Sequence, residues 1–187
     1  MGTSRNDRSP NTPPWRPVGA VLGRKDVEVG RQVQELWLAA SAERGERLAS
    51  EFAKPAMVDL LKIAASNPTP TAAIRAFDEV MGKRADAGLA LDLARRALVR
   101  SAASHTGSAG FASELFAEVS GYYASRDLPS FVGAESRVPN TSSAIELKNA
   151  IRASTQEAIG RIEPPKPTAA SWRRYVNAVL GHLRGER

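Results

Sequence analysis

The chain contains no cysteine and only two histidines among its 187 residues. Without cysteine it can form no disulfide, no thiolate zinc site, no iron–sulfur cluster and no cysteine nucleophile. The histidines, His105 and His182, lie far apart in the sequence, and neither has a carboxylate at a spacing typical of metal ligands. We interpret both as structural or solvated side chains, so the sequence predicts neither a metal site nor a cofactor.

The sequence also lacks the common catalytic motifs. It has no glycine-rich loop followed by Lys-Ser or Lys-Thr, which would cradle a phosphate, and no Gly-x-Ser-x-Gly nucleophile turn. Its serines are numerous, but none stands in a recognisable pairing with a base. We therefore predict that the protein is not an enzyme.

Long apolar segments are missing as well. No apolar run approaches the roughly 20 residues needed to cross a bilayer. The chain opens MGTSRNDRSPNTPPWRP, without the apolar region of a secretory signal. These features predict a cytoplasmic protein with no membrane partner.

Positive charge is concentrated at the two ends of the chain. Residues 1–25 hold five basic side chains against Asp7, a net charge of +4, and residues 166–187 also carry +4. Residues 26–165 carry −2, which accounts for the overall +6. Because a nucleic-acid-binding domain usually gathers its Lys and Arg on one face of the folded body, this distribution favours basic appendages that engage a partner.

The periodicity of apolar residues predicts an all-α protein. From Asp26 onward, apolar residues recur at spacings of three and four, and no alternation typical of β-strands persists. We predict a single compact helical bundle-like domain of six to eight helices with an extended N-terminal tail. The predicted division is a Pro/Arg-rich tail over 1–25, a helical core over 26–163, and a Pro-rich spacer with a C-terminal helix over 164–187.

Several residues predict where individual helices begin and end. Gly45 is expected to end the first helix, and Pro55 to occupy the first turn of another. Thr71 is expected to cap a third helix, and Ser143 with Glu146 to form a capping box. Ser125–Gly133 is expected to be a long connection.

Two regions are candidate partner-binding sites. Trp15 and the adjacent Arg16 lie in the Pro-rich tail, where the tryptophan either folds back into a groove of its own domain or anchors a partner. Arg126 and Asp127, with nearby Phe131, either clamp the long connection against the bundle or form a docking surface.

Two groups of arginines are candidate phosphate contacts. Arg95, Arg96 and Arg100 lie on one predicted helix, and Arg173 and Arg174 lie between Trp172 and Tyr175 on the last one. Basic and aromatic side chains together are typical of single-strand binders. However, Trp172 and Tyr175 share the apolar stripe of their helix, which favours docking of that helix on the body.

The opening Met1–Ser4, followed by a Ser/Pro stretch and Pro14-Trp15, resembles QatB-type proteins. These are small helical components of bacterial anti-phage operons that also encode an ATPase. The family's usual glycine-rich stretch is reduced here to Arg5–Asn11. The resemblance implies a non-enzymatic subunit without catalytic residues, and a larger partner such as the ATPase or effector of the same operon.

The sequence thus leads to two functional hypotheses. The first is a non-enzymatic accessory or adaptor subunit of a bacterial multiprotein assembly that binds a larger partner through its basic tail. The alternative is a small helical nucleic-acid-binding protein or ribonucleoprotein subunit. The oligomeric state stays open, as does whether the C-terminal helix packs on its own chain or on a neighbour.

Overall fold

The computed structural model describes residues 28–82, 89–127, 132 and 138–185, without the side chains of 40–49 and 127. The described part contains seven α-helices, and its one β-type pairing is an isolated bridge between Val132 and Val138. The predicted all-α fold is confirmed. The helices are α1 (Val29–Phe52), α2 (Pro55–Ala65), α3 (Pro70–Gly82), α4 (Leu89–Ala103), α5 (Gly107–Asp127), α6 (Thr141–Ile159) and α7 (Ala169–Arg184).

Helix α5 lies at the centre of the bundle. It packs against α4, α6, α2 and α1, and from Phe111 to Ala124 nearly every side chain is buried. A helix that is buried on all sides needs small and apolar residues around its whole circumference, and α5 supplies them. The Phe116 ring centroid lies 4.9 Å from that of Phe52 and 6.2 Å from that of Tyr175, which joins α5 to α1 and α7.

Helix α7 packs on α1 and α6 of the same chain. Its predicted apolar stripe is buried from Trp172 to Leu183, and the Trp172 indole N–H donates to the Phe52 carbonyl at 2.7 Å. Thr168 caps the helix by accepting from the Ser171 amide. Gly185 ends it with φ of 74°, in the left-handed region that favours glycine.

Pro55 begins α2 as predicted, but other helix boundaries differ from the predictions. Helix α1 continues through Gly45 to Phe52. A single interior glycine costs only about 1 kcal/mol, and the burial of Phe52 in the core compensates for this cost. Thr69, rather than Thr71, caps α3 and accepts from the Ala72 amide at 3.3 Å.

The two ends that flank the long connection also differ from the predictions. Helix α5 runs on to Asp127, and the Ser125 hydroxyl donates within the helix to the Gly121 carbonyl. The cap of α6 is Asn140, whose side chain accepts from the Ser143 amide at 3.0 Å. In both cases the serine hydroxyl is used within the helix: Ser125 bonds the carbonyl four residues earlier, and Ser143 donates to Asn140 Oδ1 at 3.2 Å instead of capping.

Candidate functional site

Of the predicted partner-binding residues, the structure describes Arg126 and the backbone of Asp127. Trp15, Arg16 and Phe131 lie outside the described residues. Asp127 is the last residue of α5. The Arg126 side chain is half-buried, with its guanidinium carbon 5.0 Å from the centroid of the buried Tyr123 ring, a cation–π arrangement within one helix.

The three arginines of α4 are exposed, but two of them contact neighbouring helices. Arg100 Nε lies 3.0 Å from Glu118 Oε1 on α5, and Arg95 Nε lies 4.0 Å from Asp78 Oδ1 on α3. Arg96 makes no salt bridge among the described residues. The expected row of three phosphate-binding arginines is therefore largely engaged with carboxylates of the body itself.

On α7 the arginines and the aromatics point in different directions. Arg173 and Arg174 are exposed, whereas Trp172 and Tyr175 are buried. This confirms that the aromatic side chains dock α7 on the body. Because α4 packs mainly on α5 and α3 while α7 packs on α1 and α6, the two arginine groups belong to separate parts of the bundle.

A nearly buried ion network joins α5 and α6. Arg152 on α6 donates from Nη1 to Glu118 Oε1 at 2.7 Å and from Nη2 to Glu114 Oε2 at 3.1 Å. Gln156 donates from Nε2 to Glu114 Oε1 at 2.8 Å, and Arg100 reaches Glu118 from α4. The network therefore links three helices and contains two positive and two negative groups.

The burial of this network explains its composition. The Glu118 side chain is 6% exposed and the Arg152 side chain 12% exposed, so each charge needs a partner close by. Gly121 on α5 makes the approach possible, because a Cβ there would lie 3.3 Å from Arg152 Cγ and Cδ. The network holds α6 at a fixed register on α5, and its charges are matched within the protein.

A chain of hydroxyl groups forms a second polar contact in the core. The Trp37 indole N–H donates to Ser120 Oγ at 3.0 Å, and Thr155 Oγ1 lies 2.9 Å from Ser120 Oγ and 2.8 Å from the Ile151 carbonyl oxygen. All four groups are satisfied if each hydroxyl donates onward, with Thr155 donating to Ile151. This chain ties α1, α5 and α6 together.

The larger of two described clefts opens where α1, α6 and α7 meet. It has a volume of about 420 Å³, and its apolar wall includes Val29, Val33 and Leu183. Glu28 and Glu157 are among its polar residues, together with Gln34, Ser154, Arg161 and His182. Glu28 is also the first described residue, and it immediately precedes α1.

The second cleft, called here the linker cleft, lies between the α6–α7 connection and α7. It has a volume of about 280 Å³, and Pro164, Pro165 and Lys166 from the connection form one side. Arg174 and Tyr175 from α7 form the other, with Glu163, Ser171, Ile162 and Ala178 completing the lining.

Burial changes the acidity of Tyr175, which lines this cleft. The residue is 6% exposed, and burial raises the pKa of the phenol to about 12. The phenol consequently stays neutral and able to donate a hydrogen bond throughout the physiological range.

Among the described residues, no three His, Asp or Glu side chains come together as a metal-binding group. None of the described helices is long and apolar enough to cross a membrane.

Sequence reasoning missed the ion network and both clefts. Glu114 and Glu118 are four residues apart on an otherwise apolar helix, which is the one local signal of a buried carboxylate pair. Comparisons of the chain with protein-family models, with curated proteins and with solved structures find no match.

Proposed function

We propose that this protein is a non-enzymatic accessory or adaptor subunit of a bacterial multiprotein assembly, binding a larger partner through its basic N-terminal tail. The observation that carries the proposal is the division of charge between tail and body. The tail has a net charge of +4 and a single tryptophan, Trp15. Several arginines of the body are instead neutralised by carboxylates of the body.

The ion pairs of the bundle support this division. Arg152 and Arg100 meet Glu118, Arg152 also meets Glu114, and Arg95 approaches Asp78. Charges paired in this way are poor sources of long-range attraction for a partner, because the field of each is cancelled nearby. The five basic residues of the tail have one acidic residue among them, so the tail carries a concentrated positive charge that suits an acidic surface.

An open cleft near the start of the described chain also favours partner binding. Glu28, the first described residue, precedes α1 and lines the α1–α6–α7 cleft. We infer that a partner held by the tail uses this half-apolar cleft to extend the interface. The resemblance of Met1–Ser4 and Pro14-Trp15 to QatB-type proteins supports anti-phage defence as the setting that we propose, with the operon's ATPase or effector as the partner.

Deletion of residues 1–25 tests the proposal. Because the buried apolar side chains of α1–α7 form a core among themselves, the deletion should leave the helical circular dichroism intact while abolishing co-purification with the partner. Retention of the partner by the truncated, folded protein would refute binding through the tail.

A second candidate function is nucleic-acid binding, favoured by Arg96, Arg173 and Arg174. All three are exposed, and no described carboxylate forms a salt bridge with any of them. Arg173 and Arg174 are adjacent on α7, and with two phosphate contacts on duplex DNA the affinity would fall about 12-fold as the salt concentration rises from 50 to 200 mM. Binding that is absent, or unchanged over this range of salt, would exclude this function.

A further inference from the structure

The linker cleft combines two cations with a neutral hydrogen-bond donor. Lys166 and Arg174 line it from opposite sides, and Glu163 is the only acidic residue in its lining, which leaves a net charge of +1. No described carboxylate lies within salt-bridge distance of Lys166 or Arg174. Their charges are therefore available to a ligand, in contrast to those of Arg100 and Arg152.

The hydroxyl of Tyr175 is the second, independent feature of the cleft. Its ring is fixed by stacking on Trp172, with centroids 5.9 Å apart, and by the edge contact with Phe116. No described residue hydrogen-bonds to the hydroxyl, and it is not among the buried oxygens of the described chain that lack a partner, so it reaches the solvent. Because Tyr175 lines the cleft, its hydroxyl can donate to a ligand that enters there.

The surrounding backbone adds rigidity to the site. The Lys166 amide donates to the Ser171 hydroxyl at 2.9 Å, which ties the connection to the first turn of α7. Pro165 is buried and Pro164 precedes it, so the side of the cleft that holds Lys166 is fixed by two restricted φ angles. The backbone on this side of the cleft is therefore already ordered, and ligand binding restricts mainly the side chains of Lys166 and Arg174.

From these features we propose that the linker cleft binds the phosphate group of a small phosphorylated ligand. Lys166 and Arg174 supply the charge, and the Tyr175 hydroxyl donates a hydrogen bond to a phosphate oxygen. Three donors suit a tetrahedral phosphate, and the apolar side chains of Ile162 and Ala178 offer contact to the remainder of the ligand. The site is independent of the tail, so it goes beyond the adaptor function.

Titration calorimetry of the full chain with inorganic phosphate and with adenosine monophosphate tests the proposal. We expect saturable binding of both at one site. Arg174→Met should lower the affinity about tenfold or more, and Tyr175→Phe, which keeps the ring, about fivefold. Arg173→Met is the matched control, because Arg173 is exposed on the same helix but does not line the cleft, and it should change the affinity less than about twofold.

Three results would overturn the proposal. One is the absence of saturable binding of either probe. Another is an equal loss of affinity in Arg173→Met and Arg174→Met, which would indicate general attraction to the basic C-terminal region. The third is binding of a single-stranded oligonucleotide that neither free phosphate nor adenosine monophosphate displaces, which would assign Arg174 to nucleic-acid binding instead. Because the probes do not involve the tail, each result leaves the test of the adaptor function unaffected.

Discussion

Removal of Arg152 should destabilise the fold more than removal of any exposed cation. In Arg152→Met the long apolar stem is retained, but Glu118 and Glu114 lose their shared partner. Glu118 is 6% exposed and keeps only Arg100, whose side chain is 58% exposed. Removing one partner of a buried pair costs about 3–5 kcal/mol, and the remaining contact with Arg100 places the expected loss at the lower end, about 3 kcal/mol.

Chemical denaturation followed by circular dichroism measures this loss directly. For a chain of this length, about 3 kcal/mol corresponds to a fall in melting temperature of about 6–12 °C. Lys62→Met is the matched control, because Lys62 forms an exposed pair with Asp59 and should lose less than about 0.5 kcal/mol.

The outcome that refutes the reasoning is equally specific. A loss below about 1 kcal/mol in Arg152→Met would mean that the carboxylates reach water in the folded protein. The network would then be a surface feature, and it would not fix α6 on α5.

Three further predictions concern the core and the tail. Tyr175→Phe should be less sensitive to alkali than the wild type, because folding raises the pKa of Tyr175 to about 12 and the resulting stability is fully present below pH 10 and is lost as pH rises towards 12. In urea unfolding, the wild type should therefore lose about 1.4 kcal/mol between pH 9 and 11 that Tyr175→Phe does not lose. Tyr122→Phe is the control. Thr155→Val should cost about 1–2 kcal/mol in the same assay, because it breaks the hydroxyl chain from Trp37; a neutral effect would show that the chain contributes nothing. Trp15→Ala should change the free energy of unfolding by less than about 0.5 kcal/mol if Trp15 is reserved for a partner, whereas a loss of about 3 kcal/mol or more would show that it packs into its own domain.

The fold was predictable wherever local patterns repeat over several turns. The stripe of α7 from Trp172 to Leu183 recurs at helical spacing and lies buried as expected. Helix ends were less predictable, because Ser, Thr and Asn compete at several neighbouring positions. Asn140 rather than Ser143 caps α6, for example, and this choice depends on how the chain enters the helix.

Local sequence patterns could not predict the polar contacts between helices. Glu118 and Arg152 are 34 positions apart, and nothing in either segment indicates that they meet across α5 and α6. The same reason explains why Arg100 was expected to be free for a phosphate, whereas the structure pairs it with Glu118. Arg174 was identified from its basic and aromatic neighbours in the sequence. The cleft that it lines could not be predicted, because the other side of that cleft is formed by the connection from α6.

The most direct test of the proposed adaptor function is co-purification of the tagged full chain from its native host after nuclease treatment. The wild type is compared with a Trp15→Ala, Arg16→Ala double variant and with Arg31→Ala, which removes an exposed arginine of α1. The account predicts one nuclease-resistant larger protein that is recovered with the wild type and with Arg31→Ala and is lost with the double variant. Recovery of the same protein with all three chains would contradict it. Loss of the co-purifying proteins upon nuclease treatment would contradict it as well.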